Sequence, residues 1–378
     1  MTQVKDNEEQ LTKYLNYLEQ DPTNFNLLLS VCDSYRQLGD FSKAQQYLDK
    51  AKAIDSESCF ALQGFIDFNK GNFSQAKDAL RKALNKEDLA ILRYSLALCH
   101  YSLDEITEGI EILSPLLAKG SANFDAELLM AKLLREQGRL NEAIQSLETT
   151  LERHGPSAET LASLAEIYFD CEETELAENA AEQALILAPD NYNARVVLLL
   201  LRLVEGKTKA CEIEKLIAKE PMDARLWFAL GSTELREMKL QEAEKSFLKA
   251  AELEPLFCDN WISLGWCQLF LNKLQEAKTS YQQALTINEE SAEGLGGLAL
   301  VASLKKDLAD AELLIAKANK LDPHCFLATI AQIIYKGHSD LAGASKQFKE
   351  TFPTIAEQLN KAMAIALANI DVESSTIH

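Results

Sequence analysis

Along nearly the whole chain, apolar side chains recur every three to four positions, the signature of helices with one buried face. The pattern carries a longer period as well. Shifted by 34, LWFALGSTELREMKLQEAEKSFLKAAELEP (226–255) lies over NWISLGWCQLFLNKLQEAKTSYQQALTINE (260–289). Trp227 falls on Trp261, Leu230-Gly231 on Leu264-Gly265, and Phe247 on Tyr281. A small residue opens the second half of each unit: Ala44, Ala76, Gly109, Ala143, Ala177, Ala210, Ala243, Ala277, Ala311 and Ala344. Ten such residues predict ten helix pairs between about 23 and 353. Pro22, Pro189, Pro221, Pro255 and Pro323 punctuate the ends of units, where proline stops one helix and suits the first turn of the next.

Two further helical stripes flank the array. Leu11, Tyr14, Leu15 and Leu18 in residues 8–20, and Ile355, Leu359, Met363, Ala366 and Ile370 in residues 354–370, read as capping helices. Residues 371–378 read as a frayed tail.

These columns resemble the tetratricopeptide repeat, a 34-residue helix–turn–helix unit. One unit supplies Trp261, Leu264, Gly265, Ala277, Tyr281 and Ala284. Another supplies Leu161, Leu164, Ala165, Tyr168, Ala177, Ala181, Ala184 and Pro189, and the first supplies Leu28, Val31, Cys32, Tyr35, Ala44, Leu48 and Ala51. The resemblance implies an all-α, right-handed α-solenoid superhelix of about ten units. The expected order is an N-terminal cap (1–22), repeats one to five (23–189), a degenerate repeat six (190–220), repeats seven to ten (221–353), a C-terminal cap (354–370) and the tail. Within each unit, small residues let helix A and helix B approach, and stacking of neighbours buries what one unit cannot.

Repeat six departs most from the pattern. It is about two residues short, and VVLLLL (196–201) replaces the usual Leu-Gly pair. A helix apolar on every side is ordinarily buried on every side, so a tightly packed middle repeat is one reading. The other is self-association through Val197, Leu198 and Leu201.

Composition agrees with helix and narrows function. Gly (15) and Pro (8) are sparse in 378 residues. A net charge of −20 repels phosphate backbones and anionic lipid, which argues against nucleic-acid binding. The most apolar run, VVLLLLRLV (196–204), is too short for a bilayer and is interrupted by Arg202, so membrane insertion is not expected. The N-terminus carries no secretory pattern. Eight cysteines without a C-x-x-C pair suit a reducing compartment, hence a cytoplasmic location.

No catalytic, cofactor or metal constellation emerges. GKT (206–208) lacks the upstream glycine of a phosphate loop, Leu201 standing in its place, and it falls in a turn between helices. EGLGGLAL (293–300) follows no strand. It opens a helix A whose three glycines predict softness. His100, His154, His324, His338 and His378 are scattered without ligand spacing. A non-enzymatic protein is the expectation.

What the family resemblance implies is binding of a partner protein or peptide along an inner face lined by the A helices. Inward positions are rich in aromatic and aliphatic residues, the usual anchors of interfaces. The candidate groove comprises Phe65, Phe68, Tyr94 and Tyr101 as one patch, then Phe169, and Phe228, Ile262, Trp266 and Phe270 as another. The alternative is that packing between repeats consumes part of this face. A carboxylate clamp of the co-chaperone kind is disfavoured, since the column where its lysine would stand reads Leu29, Ala61, Tyr94, Leu128, Ala162, Val196, Phe228, Ile262, Gly296 and Thr329. The asparagine ladder of glycosyltransferase arrays is missing too. Trp261 occupies a packing column, whereas Trp266 replaces Ser232 of the preceding repeat and is unexplained by packing.

Overall fold

The computed structural model describes residues 2–118 and 123–338, with positions 343, 346 and 350. Twenty α-helices and one short 3₁₀ turn make up the described residues, which contain no strand. The chain is an all-α solenoid of stacked helix pairs. It divides into two compact units, Met1–Leu198 and Leu199–His378.

The first unit opens with a single helix, α1 (Thr2–Gln20), which packs on α2 (Phe25–Gln37). Its pairs are α2 with α3 (Phe41–Lys52), α4 (Phe60–Asn69) with α5 (Phe73–Lys86), and α6 (Ala90–Ser102) with α7 (Ile106–Ala118). Two more follow, α8 (Phe124–Glu136) with α9 (Leu140–His154), and α10 (Ala158–Asp170) with α11 (Thr174–Leu187). Helix α12 (Tyr192–Val204) spans the boundary between units. Leu11 and Leu18 of α1 are buried against Leu28, Val31 and Leu48, so this helix covers the apolar end that the first pair cannot cover itself. Within the series α2, α4, α6, α8 and α10, each A helix touches its neighbour.

The second unit contains α13 (Ala210–Ile217), then α14 (Ala224–Arg236) with α15 (Leu240–Leu253), and α16 (Cys258–Phe270) with α17 (Leu274–Ile287). Helix α18 (Ala292–Leu304) pairs with α19 (Leu308–Leu321), and α20 (Phe326–Gly337) begins the tenth repeat. The second helix expected for that repeat and the C-terminal cap lie outside the described residues.

Three columns explain why each pair folds alike. The small residues that open the B helices are fully covered where helices cross: Ala44, Ala76, Ala143, Ala177, Ala243, Ala277 and Ala311 have no exposure, and Gly109 is buried. Ala210 is half-exposed, and its helix α13 is the shortest of the described helices at eight residues.

The turn between A and B places one residue in the left-handed region at each of the nine described pairs: Gly39, Gly71, Asp104, Gly138, Glu172, Gly206, Met238, Asn272 and Lys306, with φ between 57° and 80°. That conformation ends a helix while satisfying its last carbonyls. It also identifies the GKT glycine as a helix terminator.

The third column ties the inter-repeat turn. The indole N–H of Trp227 donates to the Pro221 carbonyl, and that of Trp261 to the Pro255 carbonyl, each at 2.9 Å. In repeat six Arg195 does the same work, its Nε donating to the Pro189 carbonyl at 3.1 Å. Tryptophan here is half-buried, with its one polar atom satisfied by a turn carbonyl that has no helical partner.

The VVLLLL run is not covered evenly. Val196, Val197 and Leu199 are buried, Leu198, Leu200 and Leu201 are half-buried, and Val204 at the end of α12 is 82% exposed. Val197, at 1% exposure, is already covered within the chain and has little surface to offer a second copy. Of the candidates for self-association, Leu198 and Leu201 retain some exposure. Among the described residues no helix is long and apolar enough to cross a membrane.

Candidate functional site

Helical periodicity places Tyr94, Leu98 and Tyr101 on one side of α6, and Leu128, Lys132 and Arg135 on one side of α8. Because α6 and α8 are adjacent A helices, the two stripes face a common cleft of about 270 Å³. Ser163, Glu166 and Ile167 of α10 and Asn193 of α12 complete its far side. Its lining mixes apolar and aromatic side chains with a few polar and charged groups, the composition expected of a binding pocket.

Two cations shape the cleft. The Lys132 ammonium sits 5.0 Å from the centroid of the Tyr101 ring and projects from an exposed position. Its attraction to the ring face aligns the side chain without neutralising the charge. Arg135 is held otherwise. Burial works against its charge, but the Asp170 carboxylate, accepting from Nε at 2.5 Å, and Glu166 at 3.7 Å more than offset this, so its pKa is raised. Arg135 is therefore a fixed strut between α8 and α10, whereas Lys132 faces solvent. Burial raises the Tyr94 hydroxyl pKa, with a further contribution from nearby Asp125.

The other groove candidates are distributed differently from the two expected patches. Phe65 lies beneath the Arg36 guanidinium at 5.6 Å, and Phe68 meets Phe73 edge-on at 5.4 Å. Both pack against the Ala76–Leu80–Leu96 cluster and neither lines the cleft with Tyr94 and Tyr101. Phe169 is half-buried on α10 and also lies outside the cleft lining. Phe228 meets Phe247 edge-on at 5.8 Å and belongs to the cluster of Ala243, Phe247, Leu264 and Cys267. Ile262, Trp266 and Phe270 instead pack on the core formed by Leu269, Tyr281, Leu300, Leu327 and Ile330.

Trp266 thus has a packing role that the sequence conceals. Its ring meets Phe270 at 4.7 Å and Phe326 at 5.7 Å, both edge-on. Phe326 starts α20, two A helices further along. It comes within reach because α18, the A helix between, is rich in glycine. A Cβ on Gly296 would stand 2.6 Å from the Ala328 nitrogen, so only glycine permits this approach of α18 to α20. Glu293 then caps α20, accepting from the backbone N–H groups of Phe326 at 2.8 Å and Leu327 at 3.1 Å. The glycines have a packing role that the expectation of a soft helix omits.

Sequence reasoning passed over Asp125 and Asn193 as lining residues. Both stand at the first turn of an A helix, ahead of the inward stripe, where a periodicity argument starts too late to include them.

Comparison with known proteins gives a consistent family. Two family profiles described as tetratricopeptide repeat match this chain, one over residues 128–194 and the other over 33–58, 224–255 and 259–291. Superkiller complex protein 3 of Homo sapiens is 23% identical over 261 residues, which is 66% of this chain and 17% of that protein. Its Mus musculus counterpart is 24% identical over 210 residues, 53% of this chain and 13% of that protein. The chain therefore spans less than a fifth of the length of these relatives. A solved tetratricopeptide repeat protein from Parabacteroides merdae superposes with a TM-score of 0.50 at 17% identity, covering 65% of this chain and 98% of that one, a likeness of fold alone.

Proposed function

Because the chain is a tetratricopeptide repeat protein, we propose that it is a non-catalytic scaffold that holds a segment of a partner protein against its A helices. The observation that carries this reading is the cleft between α6 and α8, lined by Tyr94, Leu98, Tyr101 and Leu128 together with the exposed Lys132. Rigid aromatic rings around a concavity are the anchors that protein segments use, and they need little ordering on binding. A helical or extended segment fits such a groove.

Reaction chemistry has no comparable support. The cysteines are all unpaired, and burial pushes the thiols of Cys32, Cys99, Cys267 and Cys325 up to about 12, well away from the thiolate that a nucleophile needs. Unpaired buried thiols also favour a reducing compartment, and we place the protein in the cytoplasm on that ground. The likeness to a subunit of a named complex supports a second, compatible reading, a non-catalytic subunit of a larger assembly. Association of two copies through Leu198 and Leu201 is the competing one.

The test is capture from native lysate with the wild-type chain and with Tyr94→Ala/Tyr101→Ala. Loss of the captured partner with an unchanged helical circular-dichroism signal supports the cleft. Equal capture by both overturns it, and a dimer in light scattering that dissociates on Leu198→Ser/Leu201→Ser supports self-association instead.

A further inference from the structure

Helix α6 carries the cleft on one side and a buried ionic chain on another. His100 is 1% exposed. Its Nδ1 lies 2.7 Å from Oε2 of Glu105, in the turn before α7, and its Nε2 lies 3.4 Å from a guanidinium nitrogen of Arg81 on α5. Glu105 in turn accepts from the Lys77 ammonium of α5 through both oxygens, at 2.5 and 2.8 Å. From α7, Gly109 lies alongside: a Cβ built on it would stand 3.6 Å from the Cβ of His100. The imidazole is thus enclosed by one carboxylate on the turn before α7 and two cations of α5.

The geometry assigns the protonation state. Arg81 has only N–H groups to offer, so the Nε2 facing it is the unprotonated acceptor, and Nδ1 carries the proton that Glu105 accepts. A second proton on Nε2 would point at the guanidinium. Glu105 pulls the other way, through its hydrogen bond and its charge, and that carboxylate is shared with Lys77.

We propose that His100 is an acid-sensitive latch holding α6 between α5 and α7, and that its protonation opens this part of the first unit. Burial, together with Arg81 and Lys77, holds the His100 pKa below its ordinary value of 6.5, against the opposing pull of Glu105. The linkage follows: a group whose folded pKa is depressed leaves stability intact above 6.5 and removes it as pH falls toward the folded value. One proton taken up on opening raises the open population by up to about tenfold per pH unit in that window. Where α6 opens, the cleft loses the wall bearing Tyr94, Leu98 and Tyr101. The effect on partner binding rests on the cleft being the docking face, whereas the opening itself does not.

Hydrogen exchange read by mass spectrometry on the full chain, corrected for intrinsic rates, tests the latch between pH 7.5 and 5.5. Peptides from α5 to α7 of the wild type should gain opening by several-fold across this range, while those of α14 to α17 do not follow. His100→Gln should flatten the response. Arg81→Gln relieves the cation facing Nε2 and should weaken the acid response with His100 still present, so the test survives if the histidine variant fails to fold. A flat wild-type profile, or the same acid response in His100→Gln, overturns the proposal.

Discussion

The rings of Trp266 and Phe326 meet edge-on, 5.7 Å between centroids and 74° between planes, although 60 residues separate them. Helix α16 reaches α20 past α18 because the intervening helix presents glycine where other A helices present side chains. An aromatic residue that resembles a spare anchor in sequence is thereby committed to the core of the second unit. This changes what substitution there can report.

Trp266→Ala should lower the stability of the second unit by about 2–3 kcal/mol, toward the lower end for a large aromatic because the ring is half-buried. Denaturant unfolding of the full chain, followed by exchange in α16–α20, reads this. A variant as stable as wild type would return Trp266 to the surface as a free anchor.

Tyr281 is wholly buried between helices α16 and α18, with glycine on both sides. A Cβ on Gly297 would stand 2.3 Å from its ring, and one on Gly265 2.9 Å. Gly297→Ala should therefore destabilise by roughly 1–3 kcal/mol despite alanine's better helix propensity. Adding Tyr281→Leu should recover part of the loss, since the two changes share one space. A thermal melt in which Gly297→Ala is stabilising would contradict this packing.

Met238 occupies the left-handed turn position at φ 59° and is 46% exposed. Its side chain contributes little burial while its backbone is strained. Met238→Gly should stabilise by about 1 kcal/mol, as the glycines at 39, 71 and 138 already do in their repeats. Urea titration decides, and a destabilised variant would show that Met238 contributes packing that outweighs the strain.

Glu234 and Gln268 are one period apart and serve the same role. Ser246 Oγ donates to the first at 2.7 Å and Ser280 Oγ to the second at 2.8 Å. Burial raises the Glu234 pKa. A raised carboxyl favours folding below the unfolded pKa near 4.5 and loses that contribution as pH rises. Glu234→Gln should then stabilise at pH 7, by no more than about 1 kcal/mol because the group is partly solvated, and the gain should vanish below pH 4.5. Equal gains at both pH values would mean that charge is not the cause.

Much of this was legible from single columns. The buried alanines from Ala44 to Ala311 and the stripes of α6 and α8 that line the cleft follow from side-chain size and helical periodicity, which are local. The left-handed turns were legible at Gly39, Gly71 and Gly138, where the residue advertises the conformation. They were hidden at Glu172, Met238 and Lys306, where packing of the pair imposes it against preference. The grouping of aromatics was not legible. Phe65 and Phe68 share a stripe with Tyr94 and Tyr101 in register but sit in another cluster, and Phe228 parts from Trp266 in the same way.

The sequence by itself determined the helix pairs, their period and which side chains share a helix face, since these depend on interactions within about 34 residues. Only the tertiary structure decided which rings touch, how Lys132 and Arg135 are held and which histidine is sealed. Those outcomes depend on how closely neighbouring helices approach, and that distance is set at crossings such as Gly296 on Ala328 by atoms that no single repeat contains.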